Sequence, residues 1–335
     1  MSGELRPFVV GIAGLELSDI ERGLFKETPP AGVIHFLRNV DNPDQIRALN
    51  DEIKEISNGE TKIYIDQEGG RVQRLAQPHW TQFPVACSYD GLEGDAFDRA
   101  IYAHHRLIGD ELHKAGFDIN CAPCLDLRSD ITADFLKDRS FGGGVDRLVN
   151  VAILAKRGLL DAGIYPVAKH IPGHGRGQVD SHLFMPVVEF DTDPFGPSLP
   201  QDAAVFAALS DYPFGMCAHI LYPQIDPDVP LTLSSKGFEF IRKNIGFSGI
   251  MLSDDLGMKA LKGTQAELAT QTLDAGADLA LSCSGEAEDL KMVFGTEHIA
   301  SDDLKLRLKS AYATMPEFEP LSQSARNTLM NDIEV

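Results

Sequence analysis

The feature that most constrains this fold is an eightfold recurrence of a short apolar run, a polar stretch and a helix-like pattern. The runs are FVVGIAG at 8–14, GVIHFL at 32–37, TKIYID at 61–66 and FDINCAPCLDL at 117–127, then GIYPVAKH at 163–170, FGMCAHI at 214–220, GIMLSDDL at 249–256 and ADLALSC at 277–283. They are nearly continuous rather than alternating, the pattern of strands buried on both faces. The intervening helices have legible ends. Asn42 and Pro43 read as an N-cap with proline at the first helical position. Ile46, Leu49, Ile53 and Ile56 then share one face, with Gly59 beyond the end. Ile101, His105, Ile108 and Leu112 repeat that stripe. Ala115-Gly116, Ala162-Gly163 and Ala275-Gly276 each stand just before a run, where glycine supplies a left-handed helix stop. Eight such units predict an α/β fold, a TIM (β/α)8 barrel, better than an open sheet. No linker divides the chain, so residues 1–335 read as a single domain. A last helix, capped by Ser301 and carrying Leu304, Leu308 and Tyr312, begins a C-terminal helix and tail from about residue 300.

Charge narrows the partners. Fifty acidic against 30 basic residues give a net charge of −20, which repels nucleic acid and anionic membranes over most of the surface. A small molecule in a locally different pocket is the expected partner. No stretch reaches the roughly 18 apolar residues of a membrane span, and MSGELRPFVVGIAGLELSD lacks the apolar core and cleavage site of a secretory signal. Five scattered cysteines add to the expectation of reduced thiols in a cytoplasm. Cys121 and Cys124 have metal-ligand spacing, but no second pair completes a zinc site, and they read as small buried side chains in a strand.

In such a barrel, chemistry collects at the C-terminal ends of the strands. Here those ends carry Asp66, Asp126, Lys169-His170, His219 and Asp254-Asp255. One such aspartate alone reads as a helix cap; several on one rim read as a site. The stretch KHIPGHGRGQVDSH at 169–182 places three histidines, a lysine and an aspartate among glycine and proline positions, the composition of a shaped functional loop. Asp180 and His182 lie two apart, so an extended segment puts them on one face. A carboxylate there orients the imidazole and raises its pKa, which suits a general acid. A metal site built from His170, His174, Asp180 and His182 is the rival reading of the same loop. In IDQEGGRVQRL at 65–75, the Gly-Gly pair permits close backbone approach to a ligand, with Asp66 as acceptor and Arg74 as a fork of donors. RSFGGG at 139–144 is too short of the phosphate-loop pattern to imply a nucleotide.

Taken together, GVIHFLRNV (32–40), IDQEGGRVQRL (65–75), RSFGG (139–143), KHIPGHG with DSH (169–182) and LSDDLGM (252–258) resemble the β-N-acetylhexosaminidases of glycoside hydrolase family 3. The resemblance runs in the family's order over roughly residues 5 to 300, and it looks like the single-domain bacterial, cytoplasmic type that recycles peptidoglycan. It implies a retaining exo-β-N-acetylglucosaminidase that removes terminal GlcNAc from 1,6-anhydro-N-acetylmuramic acid, with or without its peptide, and that needs no metal or cofactor. It also implies the roles. Asp254 is the nucleophile, His182 the acid/base and Asp180 its partner, while Asp66, Arg74, Arg139, Lys169 and His170 hold the sugar hydroxyls. Spacing alone does not choose between Asp254 and Asp255, whose side chains point oppositely in a strand; the family motif selects the first. Arg-Gly-Gln-Val at 176–179 stands where the family varies, and the extra arginine there, Arg176, is a candidate contact for an acidic aglycone. Phosphate in place of water as acceptor is one alternative. A metal-dependent amidohydrolase is another, though such barrels usually carry an H-x-H pair on the first strand and none is present here.

Overall fold

The computed structural model describes residues 4–181, 183–189 and 201–334. Each of the eight runs overlaps one parallel strand: β1 (Arg6–Gly11), β2 (Pro30–His35), β3 (Lys62–Ile65), β4 (Ile119–Asn120), β5 (Tyr165–Ile171), β6 (Phe214–Cys217), β7 (Ile250–Asp255) and β8 (Leu279–Ser282). Strands adjacent in sequence are adjacent in the sheet. β8 closes on β1 through Phe8–Ala280, Val9–Leu281 and Val10–Ser282, which makes the predicted (β/α)8 barrel.

Period-two alternation sorts the apolar side chains. Val9, Ile34, Tyr64, Val167, Met216 and Leu252 pack in the barrel interior. Phe8, Val10, Val33 and Ile63 belong instead to a cluster shared with the helices outside. Burial on both faces is why the runs look continuous in sequence. β4 is shorter than its run, because Pro123 offers no backbone N–H to continue the ladder. The chain nevertheless stays beside β5, with Leu125 N–H donating to the Lys169 carbonyl at 2.7 Å, and so delivers Asp126 to the rim.

The helix ends are as expected. The Asn42 side chain accepts the Gln45 N–H ahead of the helix Pro43–Ile56, and Ile46, Leu49 and Ile53 are buried. Gly116, Gly163 and Gly276 have φ of +86°, +76° and +120°, a region that favours glycine. The helix Asp302–Tyr312, capped by Ser301, adds Leu304 and Leu308 to the barrel-interior cluster beside Leu5 and Ala31, closing the barrel at the strands' N-terminal end. The tail beyond it holds one further helix, Gln323–Asp332, which has no buried residue and therefore no apolar stripe to announce it. Arg326 ties it to the long helix Gly94–Lys114, reaching Asp110 at 3.0 Å and Glu111 at 2.5 Å. Among the described residues, no helix is long and apolar enough to cross a membrane.

Candidate active site

The C-terminal ends of the strands surround a cavity of about 290 Å³, and Asp66, Arg74, Arg139, Lys169, His170 and Asp254 all border it. These residues come from positions scattered over 189 places in the sequence. Only the closed barrel brings them together.

One side of the cavity is a row of alternating charges. Arg74 Nη2 lies 3.2 Å from Asp66 Oδ2, and Asp66 Oδ1 lies 2.9 Å from Lys169 Nζ. The same Lys169 Nζ is 2.6 Å from Glu68 Oε1. Glu68 in turn accepts from Arg139 Nη2 at 2.7 Å and Nε at 2.9 Å, a bidentate pair. Burial opposes ionisation of Asp66, but Lys169 and Arg74 outweigh it and hold the carboxyl below its ordinary range. Glu68 is likewise desolvated, and Arg139 and Lys169 push it far down. Lys169 is buried yet held above the usual lysine range by Asp66 and Glu68. Asp66, Glu68 and Lys169 are therefore charged at neutral pH, and each member of the row is fixed in place by its neighbours.

The row is built by local sequence. Two short strands after β3, Gln67–Gly69 and Val72–Gln73, form a hairpin that turns the chain back along the rim. The Gln67 side chain accepts the N–H groups of Arg74 and Leu75 at 2.8 and 3.0 Å. From β4, the Asn120 amide brackets the Gln67 backbone, accepting its N–H and donating to its carbonyl, both at 2.9 Å. Glu68 and Asn120 were not among the residues expected from sequence. Glu68 had a signal, since it stands two residues from Asp66 and an extended chain puts both carboxylates on one side. Asn120 had none.

Opposite the row stands the end of β7. Asp254 Oδ1 accepts the Asp255 N–H at 2.8 Å. Burial raises the Asp254 carboxyl, but His170, His219 and that N–H bring it net below the ordinary range, so it is an anion. Asp255 does not point clear of the cavity as strict alternation implies, because it also borders it. Its carboxylate is engaged elsewhere, with Oδ1 accepting the N–H groups of Cys283 and Gly257, both at 3.0 Å, and burial raises its pKa. The chain is leaving the strand at this point, which is why alternation fails. His219 fastens the same turn. Its Nε2 lies 2.9 Å from the Asp255 carbonyl oxygen, an obligate acceptor, so that nitrogen carries the proton. Nδ1 lies 2.7 Å from the Thr232 hydroxyl oxygen, and burial lowers the pKa of the ring.

The loop after β5 is anchored rather than loose in its first half. His174 N–H donates to Asp126 at 2.6 Å, and the carbonyls of Gly173 and Gly175 accept from Tyr222 and Thr132 at 2.7 and 2.6 Å. Its glycines are packing glycines: a Cβ on Gly175 would lie 1.9 Å from the Leu127 carbonyl oxygen. Arg176 is turned to Asp202 at 2.5 Å and the Glu189 carbonyl at 3.0 Å. Further on, Ala260 N–H donates to the Ser181 carbonyl at 3.2 Å. Asp180 is half-buried and, among the described residues, is not one that borders the cavity. His182 lies outside the described residues, so its expected pairing with Asp180 is not visible.

Among the described residues one group has metal-ligand spacing: Cys124, Asp126 and His170, whose ligand atoms lie within 4.8 Å of one another. It is not the set expected from the loop. His174 turns its Nε2 to Ser181 Oγ at 3.3 Å, and burial lowers its pKa to about 4. The three already satisfy each other, with Asp126 Oδ2 2.6 Å from His170 Nδ1 and 3.2 Å from the Cys124 thiol. Cys121 and Cys124 are both free and buried.

Comparison with known proteins bears on the same residues. The family model described as "Glycosyl hydrolase family 3 N terminal domain" matches residues 9–309. A β-hexosaminidase of Alkalilimnicola ehrlichii is 36% identical over 84% of this chain and 81% of its own length. Among solved structures, a glycoside hydrolase family 3 β-N-acetylglucosaminidase from Paenibacillus sp. str. FPU-7 superposes with a TM-score of 0.83 at 30% identity, covering 98% of this chain and 66% of that longer one. NagZ from Neisseria gonorrhoeae in complex with N-trifluoroacetyl-D-glucosamine gives a TM-score of 0.83 at 28% identity, covering 98% and 94% of the two chains. A match over nine-tenths of the barrel, on a rim that gathers widely separated charges into one cavity, makes this chain a member of glycosyl hydrolase family 3 and a glycoside hydrolase.

Proposed function

We propose that the protein is a retaining exo-β-N-acetylglucosaminidase that releases terminal β-linked GlcNAc from peptidoglycan fragments, GlcNAc-1,6-anhydro-MurNAc with or without peptide, in the cytoplasm. The observation that carries the reading is the cavity itself. It sets an ionised Asp254 across from a fixed row of hydrogen-bonding charges, with room for about one sugar ring. Relatives named β-hexosaminidase, and one named NagZ that binds an N-acylated glucosamine, support the choice of sugar. In this reading Asp66, Arg74, Arg139, Lys169 and His170 hold the hydroxyls, and the whole chain acts as one catalytic barrel with its C-terminal helices.

The chemistry follows the two-step retaining route. Asp254 attacks the anomeric carbon as the bond to the leaving oxygen breaks. His182, oriented by Asp180, gives its proton to that oxygen. Water, deprotonated by the same imidazole, then breaks the glycosyl ester and restores Asp254. No step calls on a metal. Phosphate as acceptor is the second reading, favoured by Arg71, Arg74 and Arg139 on the cavity wall.

The test is hydrolysis of a chromogenic β-N-acetylglucosaminide with and without phosphate, with the first-formed product read by NMR. β-GlcNAc, formed equally in both arms, is expected. A sugar phosphate in the phosphate arm means phosphorolysis, and initial α-GlcNAc rejects the retaining route.

A further inference from the structure

We propose that Asp126 is a positioning residue for this site, acting through His170 by fixing which ring nitrogen carries the proton, while its second oxygen anchors the start of the loop that bears Asp180. The inference rests on the functional reading above.

The geometry is that of a carboxylate with two tasks. Asp126 is fully buried at the end of the β4 tail. Its Oδ2 lies 2.6 Å from His170 Nδ1 and accepts the Cys124 thiol at 3.2 Å. Its Oδ1 accepts two backbone N–H groups, from His174 at 2.6 Å and His170 at 3.3 Å. Four donors thus converge on one anion, and no donor on Asp126 itself is available. Since an ionised carboxylate only accepts, the His170 nitrogen facing it is N–H. Burial opposes the Asp126 anion, yet His170 and His174 keep its carboxyl far below the ordinary range. The ring of His170 borders the sugar cavity, so Nδ1–H bound to Asp126 leaves Nε2 as the nitrogen offered to a ligand. Asp126 touches neither the cavity nor Asp254 among the hydrogen bonds described, which makes its effect on a sugar indirect.

Asparagine at this position separates the two tasks. Its one oxygen stays with the His174 N–H, a backbone donor that cannot change its role. Its NH2 then meets His170 Nδ1, which must become an acceptor, and the ring proton moves to Nε2. The loop anchor survives while the tautomer inverts, and an inverted tautomer disables an oriented imidazole without removing it.

The experiment is a double-mutant cycle with a spectroscopic arm, on the full chain. Asp126→Asn is expected to lower kcat/KM on a β-N-acetylglucosaminide on the order of 10²-fold. In a His170→Gln background the same change is expected to cost less than about threefold, because its route is already cut. Equal losses in both backgrounds overturn the proposal, as does an unchanged Asp126→Asn enzyme. The second arm needs no activity. In ¹⁵N-histidine spectra, the His170 signals, assigned by their loss in His170→Gln, are expected to show a proton on Nδ1 in the parent and on Nε2 in Asp126→Asn. A parent ring protonated on Nε2 alone overturns the proposal. A parent that cleaves no β-N-acetylglucosaminide refutes the functional reading instead, and the spectra still decide the positioning role.

Discussion

Glu68 and Arg139 form a bidentate ion pair, 2.7 and 2.9 Å, whose carboxylate is shared with Lys169 at 2.6 Å. One anion therefore restrains two of the cations that line the cavity. Glu68→Gln keeps the shape but leaves Lys169 and Arg139 with an amide in place of a charge. Losing one partner of a buried pair costs about 3 kcal/mol, and misplaced donors cost on the order of 10²-fold in kcat/KM. Urea denaturation and steady-state kinetics should show both losses. A variant with unchanged KM and kcat would mean that the pair is structural only.

The adjacent aspartates at the end of β7 are separable. Asp254→Asn removes the proposed nucleophile and is expected to lower kcat by at least about 10³-fold. Asp255→Asn retains an oxygen for the Cys283 and Gly257 N–H groups, so its loss should stay within about tenfold. Comparing the two kcat values on one aryl glycoside checks this. Equal, severe losses would assign chemistry to Asp255.

The anchored loop gives a leaving-group test. His182→Ala removes the proposed proton donor, and activated aryl glycosides need little protonation, so the natural disaccharide should suffer far more than a 2,4-dinitrophenyl glycoside. Gly175→Ala should reproduce the same bias more weakly, since its methyl collides with the Leu127 carbonyl and shifts the loop without touching the sugar row. A similar loss on both substrates for His182→Ala rejects the acid role.

Acid sensitivity should begin with histidines, before the carboxylates. Burial lowers His35, His104 and His174 to about 4 and His105 to about 3. A folded pKa below the unfolded value of about 6.5 means that the unfolded chain binds more protons between them. Stability is then full above about pH 6.5 and falls toward pH 4, by up to about 1.4 kcal/mol per pH unit for each such histidine. Glu68 and Asp126, held low, add their loss only below about pH 4. Denaturant midpoints measured from pH 7.5 to 4.5 should decline throughout the lower part of that range. A flat profile down to pH 5 would show that these rings open to solvent.

How much of this was legible in sequence depends on where the information resides. All eight strands were readable because burial on both faces leaves an unbroken apolar run. That Asp66, Arg74, Arg139, Lys169 and His170 share one cavity was readable because strand ends gather on one rim in this architecture. Glu68 was overlooked although it shares the extended stretch of Asp66; its role depends on Arg139, 71 positions away. The helix Gln323–Asp332 escaped because only Leu329 and Met330 of it pack on the core, both partly covered, and the charge pairs that add to its hold carry no periodic signal. Gly173 and Gly175 make room for the Asp202 side chain and the Leu127 carbonyl, contacts that no local reading of glycine can supply.

Lys169 has three N–H bonds, and the two carboxylates beside it claim two of them. An ordinary lysine swivels and serves as a diffuse point of charge. This one has a single remaining hydrogen with a fixed direction, so in the proposed function it would act as a gauge of stereochemistry: a hydroxyl set at the right carbon in the right orientation would meet it, and the epimer's would not.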